Sequence, residues 1–169
     1  MQQTIIKKIT IIINVVYALV LLLFLLDNLN SFDIKNQTIK SFVYFGFIIE
    51  SPLILIWNLF LLKTKSIRII GTVLPAIILI LVILSGPNKI LFRIGAWKTQ
   101  TILYENGHLR FKTIEFQMQD LGALGYNKRT VEVFYLTKLF IIIKDLPEDI
   151  DSKVEWIKVD KDINALKLK

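Results

Sequence analysis

The sequence predicts an α-helical membrane unit of three transmembrane helices, followed by a small C-terminal α+β domain with an antiparallel sheet and a C-terminal helix. Hydrophobic residues make up 54% of the 169 residues, which exceeds the usual apolar share of a soluble domain. Only three of the 14 acidic residues precede Gly86. The composition therefore changes near Gly86, and we predict a transmembrane unit over residues 1–86 and a soluble β-rich domain over residues 87–169.

The first span is predicted over residues 5–26, which hold few polar side chains, among them Lys7, Lys8 and Asn14. At about 1.5 Å per residue this run is long enough to cross a hydrocarbon core of about 30 Å. It ends without the small-residue pair that a signal peptidase requires. We therefore expect an uncleaved helix that stays in the membrane.

Two further spans are predicted over residues 42–62 and 67–84. A polar loop, residues 27–40, precedes the first of these spans. Residues 63–66 form a short basic turn between the two, so the second and third spans are expected to pack as an antiparallel helical hairpin.

Basic residues next to the spans predict the orientation. Lys63, Lys65 and Arg68 lie at the second turn without an acidic neighbour, and basic loops stay in the cytoplasm. This predicts a multi-pass protein of the plasma (inner) membrane with a cytoplasmic N-terminus and an extracytoplasmic C-terminal domain. The basic residues that follow the third span, among them Arg93 and Lys98, argue for the opposite orientation.

The C-terminal part has the turn residues and short apolar runs of a β-sheet. Asn106-Gly107 between two strand-like runs predicts a hairpin with a type I′ turn. A change of phase between Phe111 and Ile114 predicts a bulge in the second strand. A loop with two glycines, residues 120–129, is followed by predicted strands over residues 130–136 and 139–143.

The last segment is predicted to be helical. Pro147 and the acids after it suit a helix N-terminus, and Ile150, Val154 and Ile157 follow at i, i+4 and i+7. We expect a helix over residues 147–157 and a short second helical piece over residues 162–166.

Polar and helix-breaking residues inside the spans form the first candidate site. Asn14, Glu50 and Pro75 lie near the middle of the three spans, so we expect them at one depth. Each proline frees the carbonyl four residues earlier. The candidate binding residues are Glu50, Asn14 and Asn58, and the candidate residues for kinks or close packing are Gly46, Pro52, Gly71 and Pro75.

Two interpretations of this layer remain open. Polar side chains and prolines are common where membrane helices pack, so the layer is explained by helix association. Alternatively, an acid inside a span marks a proton-, ion- or ligand-responsive site. In either interpretation we expect Glu50 to be protonated and to donate a hydrogen bond to Asn14 or to a freed carbonyl.

The C-terminal domain contains no recognisable catalytic motif. The chain has no cysteine and one histidine, which excludes thiolate metal sites and leaves a histidine triad unsupported. Gly122, Gly125, Lys128 and Arg129 resemble an anion-binding loop but lack the phosphate-loop spacing, so we predict glycines that supply positive φ beside solvated cations. We predict no enzyme activity, cofactor, metal site or nucleic-acid partner.

The general layout resembles that of small bacterial inner-membrane proteins with a few spans and one β-rich domain. We therefore expect a non-enzymatic accessory, binding or immunity-type subunit whose membrane-anchored domain contacts a partner protein. The partners expected are the lipid bilayer and either another membrane or envelope protein or further copies of the chain. The alternative is a proton- or ion-linked component of an oligomeric membrane transporter that uses Glu50.

Overall fold

The computed structural model describes residues 2–28, 31–62, 64–86, 90, 92–146 and 155–168. The chain divides into two compact units. Residues 1–25 with 41–94 form the helical unit, and residues 26–40 with 95–169 form the sheet unit. The segment 26–40, which the sequence assigned to the transmembrane unit, therefore groups with the sheet, and the division after the third helix comes at residues 94 and 95 rather than at residue 86.

The helical unit contains three long helices. They are α1 (Gln2–Asn28), α2 (Gln37–Leu61) and α3 (Lys65–Ser85). Each is long and apolar enough to cross a membrane, as predicted. α2 begins before the predicted residue 42 because Asn36 caps it, and the Asn36 side-chain oxygen accepts the Ile39 N–H at 3.0 Å.

Aromatic and small residues pack the helices together. Phe24 of α1 stacks on Phe47 of α2 with ring centroids 3.9 Å apart, and it meets Tyr44 edge-on at 5.1 Å. Near the turn into α3, a Cβ on Gly71 would lie 3.2 Å from a side-chain atom of Leu62. α2 and α3 therefore approach closely beside the turn that joins them.

The sheet unit is a six-stranded antiparallel sheet, as predicted, in the order β1-β5-β4-β3-β2-β6. Val131, Val133 and Ile141 form a buried apolar cluster on it. The strands are β1 (Phe32–Ile34), β2 (Lys98–Asn106), β3 (Lys112–Asp120), β4 (Tyr126–Tyr135), β5 (Phe140–Lys144) and β6 (Trp156–Asp162).

The predicted loop over residues 27–40 is wrong in part. α1 continues to Asn28, α2 starts at Gln37, and β1 pairs with β5 so that Phe32 lies opposite Ile142. A strand of three residues is too short to show a period of two, so only its long-range pairing reveals it.

The predicted C-terminal helix is wrong at its end. Ile157 belongs to β6, opposite Glu105 of β2, because an extended chain there completes hydrogen bonds with a strand edge. Residues 147–154 lie outside the described residues. The second helical piece is also wrong, since Asn164 and Lys167 have φ of 43° and 55° and cannot continue a right-handed helix.

The first hairpin is present, but its turn differs from the predicted type I′. β2 and β3 are joined by five residues, and the Asn106 side-chain oxygen accepts the N–H groups of His108 and Leu109 at 3.0 and 2.9 Å. The irregular register lies in β2 rather than after Phe111. Strand β4 begins four residues earlier than predicted, at Tyr126.

Candidate functional site

Asn58 joins the three helices. Its amide and that of Asn14 exchange hydrogen bonds of 3.0 and 3.2 Å between α2 and α1. The same Asn58 amide donates to the Gly71 carbonyl of α3 at 2.7 Å. That carbonyl has lost its helical donor because residue 75 is proline. Pro75 is fully buried, so the helix break and its replacement donor lie inside the helical unit.

Hydroxyl groups that the sequence analysis did not single out make further contacts between α1 and α2. The Tyr17 hydroxyl lies 3.0 Å from the Ser51 hydroxyl, which donates to the Phe47 carbonyl at 2.6 Å. The Trp57 indole donates to Thr10 at 3.1 Å. In the sequence, these contacts were indicated by isolated hydroxyl groups within apolar runs, because a hydroxyl group inside a membrane needs a hydrogen-bond partner.

Glu50 does not make the expected bond to Asn14. The Asn14 amide is occupied by Asn58, two turns further along α2. The Glu50 carboxylate instead folds back over Gly46, where an added Cβ would lie 3.6 Å from Oε1. Its Oε2 is buried and makes no hydrogen bond within the described part of the chain.

Gly46 and Pro52, the two remaining residues of the predicted layer, both lie in α2. Gly46 also faces α1, since an added Cβ would lie 3.5 Å from a methyl group of Val20. Pro52 lies inside α2, which continues past it to Leu61. The structure thus brings Asn14, Asn58 and Gly71 together, and leaves Glu50 outside this group. A binding role for Glu50, Asn14 and Asn58 stays a prediction.

A second polar cluster lies inside the sheet unit, with Glu115 of β3 at its centre. The Glu115 side chain is fully buried. Its carboxylate accepts hydrogen bonds from Thr99 at 2.6 Å, Gln117 at 2.9 Å and Thr113 at 3.0 Å, and from the Tyr135 hydroxyl. Four donors therefore converge on one buried carboxylate.

Lys35, which follows β1, completes the surroundings of Glu115. Its Nζ lies 3.7 Å from Oε2 of Glu115 and donates to the Tyr135 hydroxyl. Burial by itself would raise the pKa of Glu115, but the positive charge of Lys35 and the hydrogen-bond donors outweigh it, so the pKa is below its usual value. Burial, together with the negative charge of Glu115, raises the pKa of Tyr135.

Asp33 of β1 is the second buried carboxylate of this cluster. It pairs with Lys40 at 2.8 Å and with the Arg129 guanidinium. Lys40 also lies 3.2 Å from Asp27. Burial by itself would raise the pKa of Asp33. The positive charges and hydrogen bonds of Lys40 and Arg129 outweigh burial, so the pKa is below its ordinary value.

Arg129 connects the two halves of the cluster. Its Nε and Nη2 donate to the Gln117 side-chain oxygen at 2.9 and 2.7 Å, and Gln117 in turn donates to Glu115. The guanidinium also lies 4.1 Å from the centre of the Trp97 ring. We call these side chains the buried ion network, and its charged members are Asp27, Asp33, Lys35, Lys40, Glu115 and Arg129.

Comparisons with protein-family models, curated proteins and solved structures find no match to the chain.

The buried ion network was not predicted from the sequence, because its members are far apart along the chain. Glu115 pairs with Lys35, and Arg129 pairs with Asp33, so both pairs join the segment 26–40 to the C-terminal domain. The sequence of β3 did indicate a polar face of the sheet, because every second residue up to Gln119 is polar.

The glycine loop differs from the prediction in one residue. Gly122 and Gly125 have φ of 64° and 89°, as expected for glycines that supply positive φ. Arg129, however, is not a solvated turn residue, because it belongs to the buried ion network. The Gly122 N–H donates to the Asp120 carboxylate at 2.7 Å. This loop amide is therefore already bonded to a carboxylate of the chain itself.

Proposed function

We propose that this chain is a non-enzymatic membrane protein, an accessory, binding or immunity-type subunit, whose β-rich domain contacts a partner protein. An apolar surface on two neighbouring hairpin loops carries the proposal. The loops are residues 107–111 between β2 and β3 and residues 136–139 between β4 and β5. The hairpin surface consists of Leu109, Arg110, Phe111, Leu136, Lys138 and Leu139.

The two loops form one surface because strands β3 and β4 hold them together. The Tyr135 N–H donates to the Phe111 carbonyl at 2.8 Å, and the Phe111 ring packs edge-on against Phe134 at 4.8 Å. The four apolar side chains of the surface are 38–47% exposed. Neighbouring exposed apolar side chains of this kind mark interaction sites on proteins.

The charges of the hairpin surface indicate the chemistry of the partner. Arg110 and Lys138 each lie beside exposed apolar residues, and residues 107–111 and 136–139 contain no acid. A protein surface with an apolar centre and acidic residues around it is complementary to this arrangement.

The buried ion network supports a binding role over a catalytic one. Its three cations and three carboxylates face each other within the sheet unit, and Glu115 is fully buried. These contacts attach the segment 26–40 to the sheet. The network thereby keeps the loops on a rigid support, which binding interfaces require.

Site-specific photocrosslinking in host membranes tests this proposal. A photoreactive phenylalanine replaces Phe111 in one variant and Leu124 in the control, since Leu124 is 69% exposed on the loop between β3 and β4. We expect a protein adduct from position 111, none from position 124, and loss of the adduct when R110E and K138E are added. Adducts with lipid alone, or equal adducts from both positions, would contradict the proposal.

For the location, we propose the plasma (inner) membrane, with three spans and the sheet unit outside the cytoplasm. With three spans, the segment between α1 and α2 and the segment after α3 emerge on the same side. The pairing of β1 with β5 supports this, since it brings both segments into one sheet. Lys35 and Lys40 are neutralised by carboxylates, so they do not oppose the orientation that Lys65 and Arg68 favour. Arg93 and Lys98 after α3 argue for the opposite orientation.

Reporter fusions test this topology. A reporter active only in the cytoplasm is inserted at Lys65 or attached after Lys169. We expect activity from the first fusion and none from the second. Activity from both fusions, or from neither, contradicts three spans.

The buried, unpartnered Glu50 Oε2 favours a second candidate function, a proton- or ion-linked component of an oligomeric transporter. Glu50→Gln and Glu50→Leu separate the two roles of the carboxyl group. In a transport role, E50Q abolishes a pH-dependent phenotype of the host. If E50Q behaves as wild type and only E50L fails, the side chain serves helix packing and this second function is wrong.

A further inference from the structure

We propose that a pocket of the sheet unit binds a small anion, a phosphate or carboxylate group that carries a short apolar chain. The pocket has a volume of about 290 Å³, which is at the lower end for small-molecule sites. Two lysines line it, Lys35 and Lys98, together with Thr99, Tyr135 and three apolar residues. No residue of the hairpin surface contributes to it, so the proposal is independent of the partner interface.

Lys35 and Lys98 are the donors left for a ligand. Thr99 and Tyr135 also line the pocket, but their hydroxyl groups both donate to the Glu115 carboxylate. Lys35 uses one of its three N–H groups on Tyr135, and its side chain is 21% exposed. Within the described chain, Lys98 has no carboxylate partner.

The local charge favours an anion. Glu115 and Asp33 are the carboxylates that act on Lys35. Four donors besides Lys35 already satisfy Glu115, and Lys40 and Arg129 pair with Asp33. Burial lowers the pKa of Lys35, the negative charges of Glu115 and Asp33 oppose this shift, and the positive charge of Lys98 adds to it. An anion between the two ammonium groups relieves the repulsion between them.

The other wall of the pocket requires an apolar group on the ligand. Ile102 of β2 lines it together with Ile163 and Ala165, which follow β6. Backbone bonds hold these last two in place, with the Ile163 N–H donating to Gln100 at 2.8 Å and the Ala165 N–H donating to Thr99 at 3.1 Å. An anionic group at the lysines thus places an attached alkyl chain against these side chains.

Calorimetric titration of the full chain in phosphatidylcholine nanodiscs tests the proposal, with butyl phosphate as the probe. We expect butyl phosphate to bind and butanol not to bind. Inorganic phosphate is expected to bind more weakly, because it cannot use the apolar wall. Absence of butyl phosphate binding, or equal binding of inorganic phosphate, would overturn the proposed ligand class.

Variants locate the binding in the pocket. Lys98→Gln removes an ammonium group without exposing Glu115 and is expected to weaken binding about tenfold, as for a lost hydrogen bond to a charged group. Ala165→Phe fills the pocket at constant charge and is expected to abolish binding. Lys128→Gln removes an exposed charge outside the pocket and should bind as wild type. If K128Q weakens binding as much as K98Q, or if A165F binds normally, the pocket is not the site.

Phosphatidic acid distinguishes two sources of the ligand. When it is added to the nanodiscs, competition with butyl phosphate supports a membrane phospholipid in the pocket. Unchanged butyl phosphate binding supports the same anion class taken up as a free small molecule.

Discussion

The two units of this protein stabilise their buried polar groups in different ways. In the helical unit the partners are neutral, such as the amides of Asn14 and Asn58 and the hydroxyls of Tyr17 and Ser51. In the sheet unit they are ions, such as Asp33 with Lys40. A charge inside a bilayer is costly, whereas a sheet domain in water can bury a charge if it is paired. The difference is the one expected if the helical unit lies in a membrane, as its apolar helices allow, and the sheet unit lies in water.

The largest expected effect is the removal of the central carboxylate of the sheet unit. Glu115→Ala leaves four donors and Lys35 without their acceptor, and we expect it to reduce the free energy of unfolding by about 3–5 kcal/mol. Glu105→Ala removes an exposed acid from a neighbouring strand and should change it by less than about 0.5 kcal/mol. Thermal unfolding in detergent measures both. Equal effects would show that the buried ion network does not stabilise the fold.

Acid should weaken the sheet unit before the helical unit. The pKa values of Asp33 and Glu115 are below their ordinary values of 3.8 and 4.5, so the folded state holds fewer protons than the unfolded state near those values. The stability from these groups is present above about pH 4.5 and is lost as the pH falls through their folded-state pKa values.

A W57F variant makes this comparison measurable. Its remaining tryptophans, Trp97 and Trp156, lie in the sheet unit, and the far-ultraviolet helical signal reports mainly on α1 to α3. We expect the fluorescence to change in acid while the helical signal persists. Simultaneous loss of both signals would show that the two units unfold together.

A smaller loss of stability is expected when the neutral hydrogen bonds of the helical unit are removed. Asn58→Leu removes the bonds to Asn14 and to the Gly71 carbonyl, and we expect a loss of about 1–2 kcal/mol in detergent. Asn14→Leu should cost about half as much, because the bond from Asn58 to Gly71 remains. Thr72→Val removes only hydrogen bonds within α3 and is the control. If N14L costs as much as N58L, the link to Gly71 contributes nothing.

The smallest difference in stability is expected between alanine substitutions at two glycines of the helical unit. An added Cβ on Gly71 would lie 3.2 Å from Asn58 and Leu62, so Gly71→Ala should cost about 1 kcal/mol. A Cβ on Gly46 would lie 3.5 Å from Val20, an ordinary contact, so Gly46→Ala should change stability by less than about 0.5 kcal/mol. Equilibrium unfolding of both variants in the same detergent makes the comparison, and a larger loss in G46A would reverse the assigned order of packing.

Local sequence was sufficient for much of the fold. Three apolar runs, each long enough to cross a bilayer, predicted three helices that the structure contains. The turn residues after Gly86 predicted an antiparallel sheet, and two glycines predicted positive φ at Gly122 and Gly125. Local periodicity was misleading at Ile157, where three apolar residues at helical spacing predicted a helix and pairing with β2 produced a strand.

The sequence by itself determined the three helices and the β-rich character of the C-terminal domain, because apolar length and turn chemistry act between neighbouring residues. Only the tertiary structure decided how residues 26–40 join the sheet and which charges meet. Asp33 and Arg129 are 96 residues apart, and Lys35 and Tyr135 are 100 residues apart. Such pairs form because burial makes an unpartnered charge costly, and burial is a property of the assembled sheet unit rather than of any single segment.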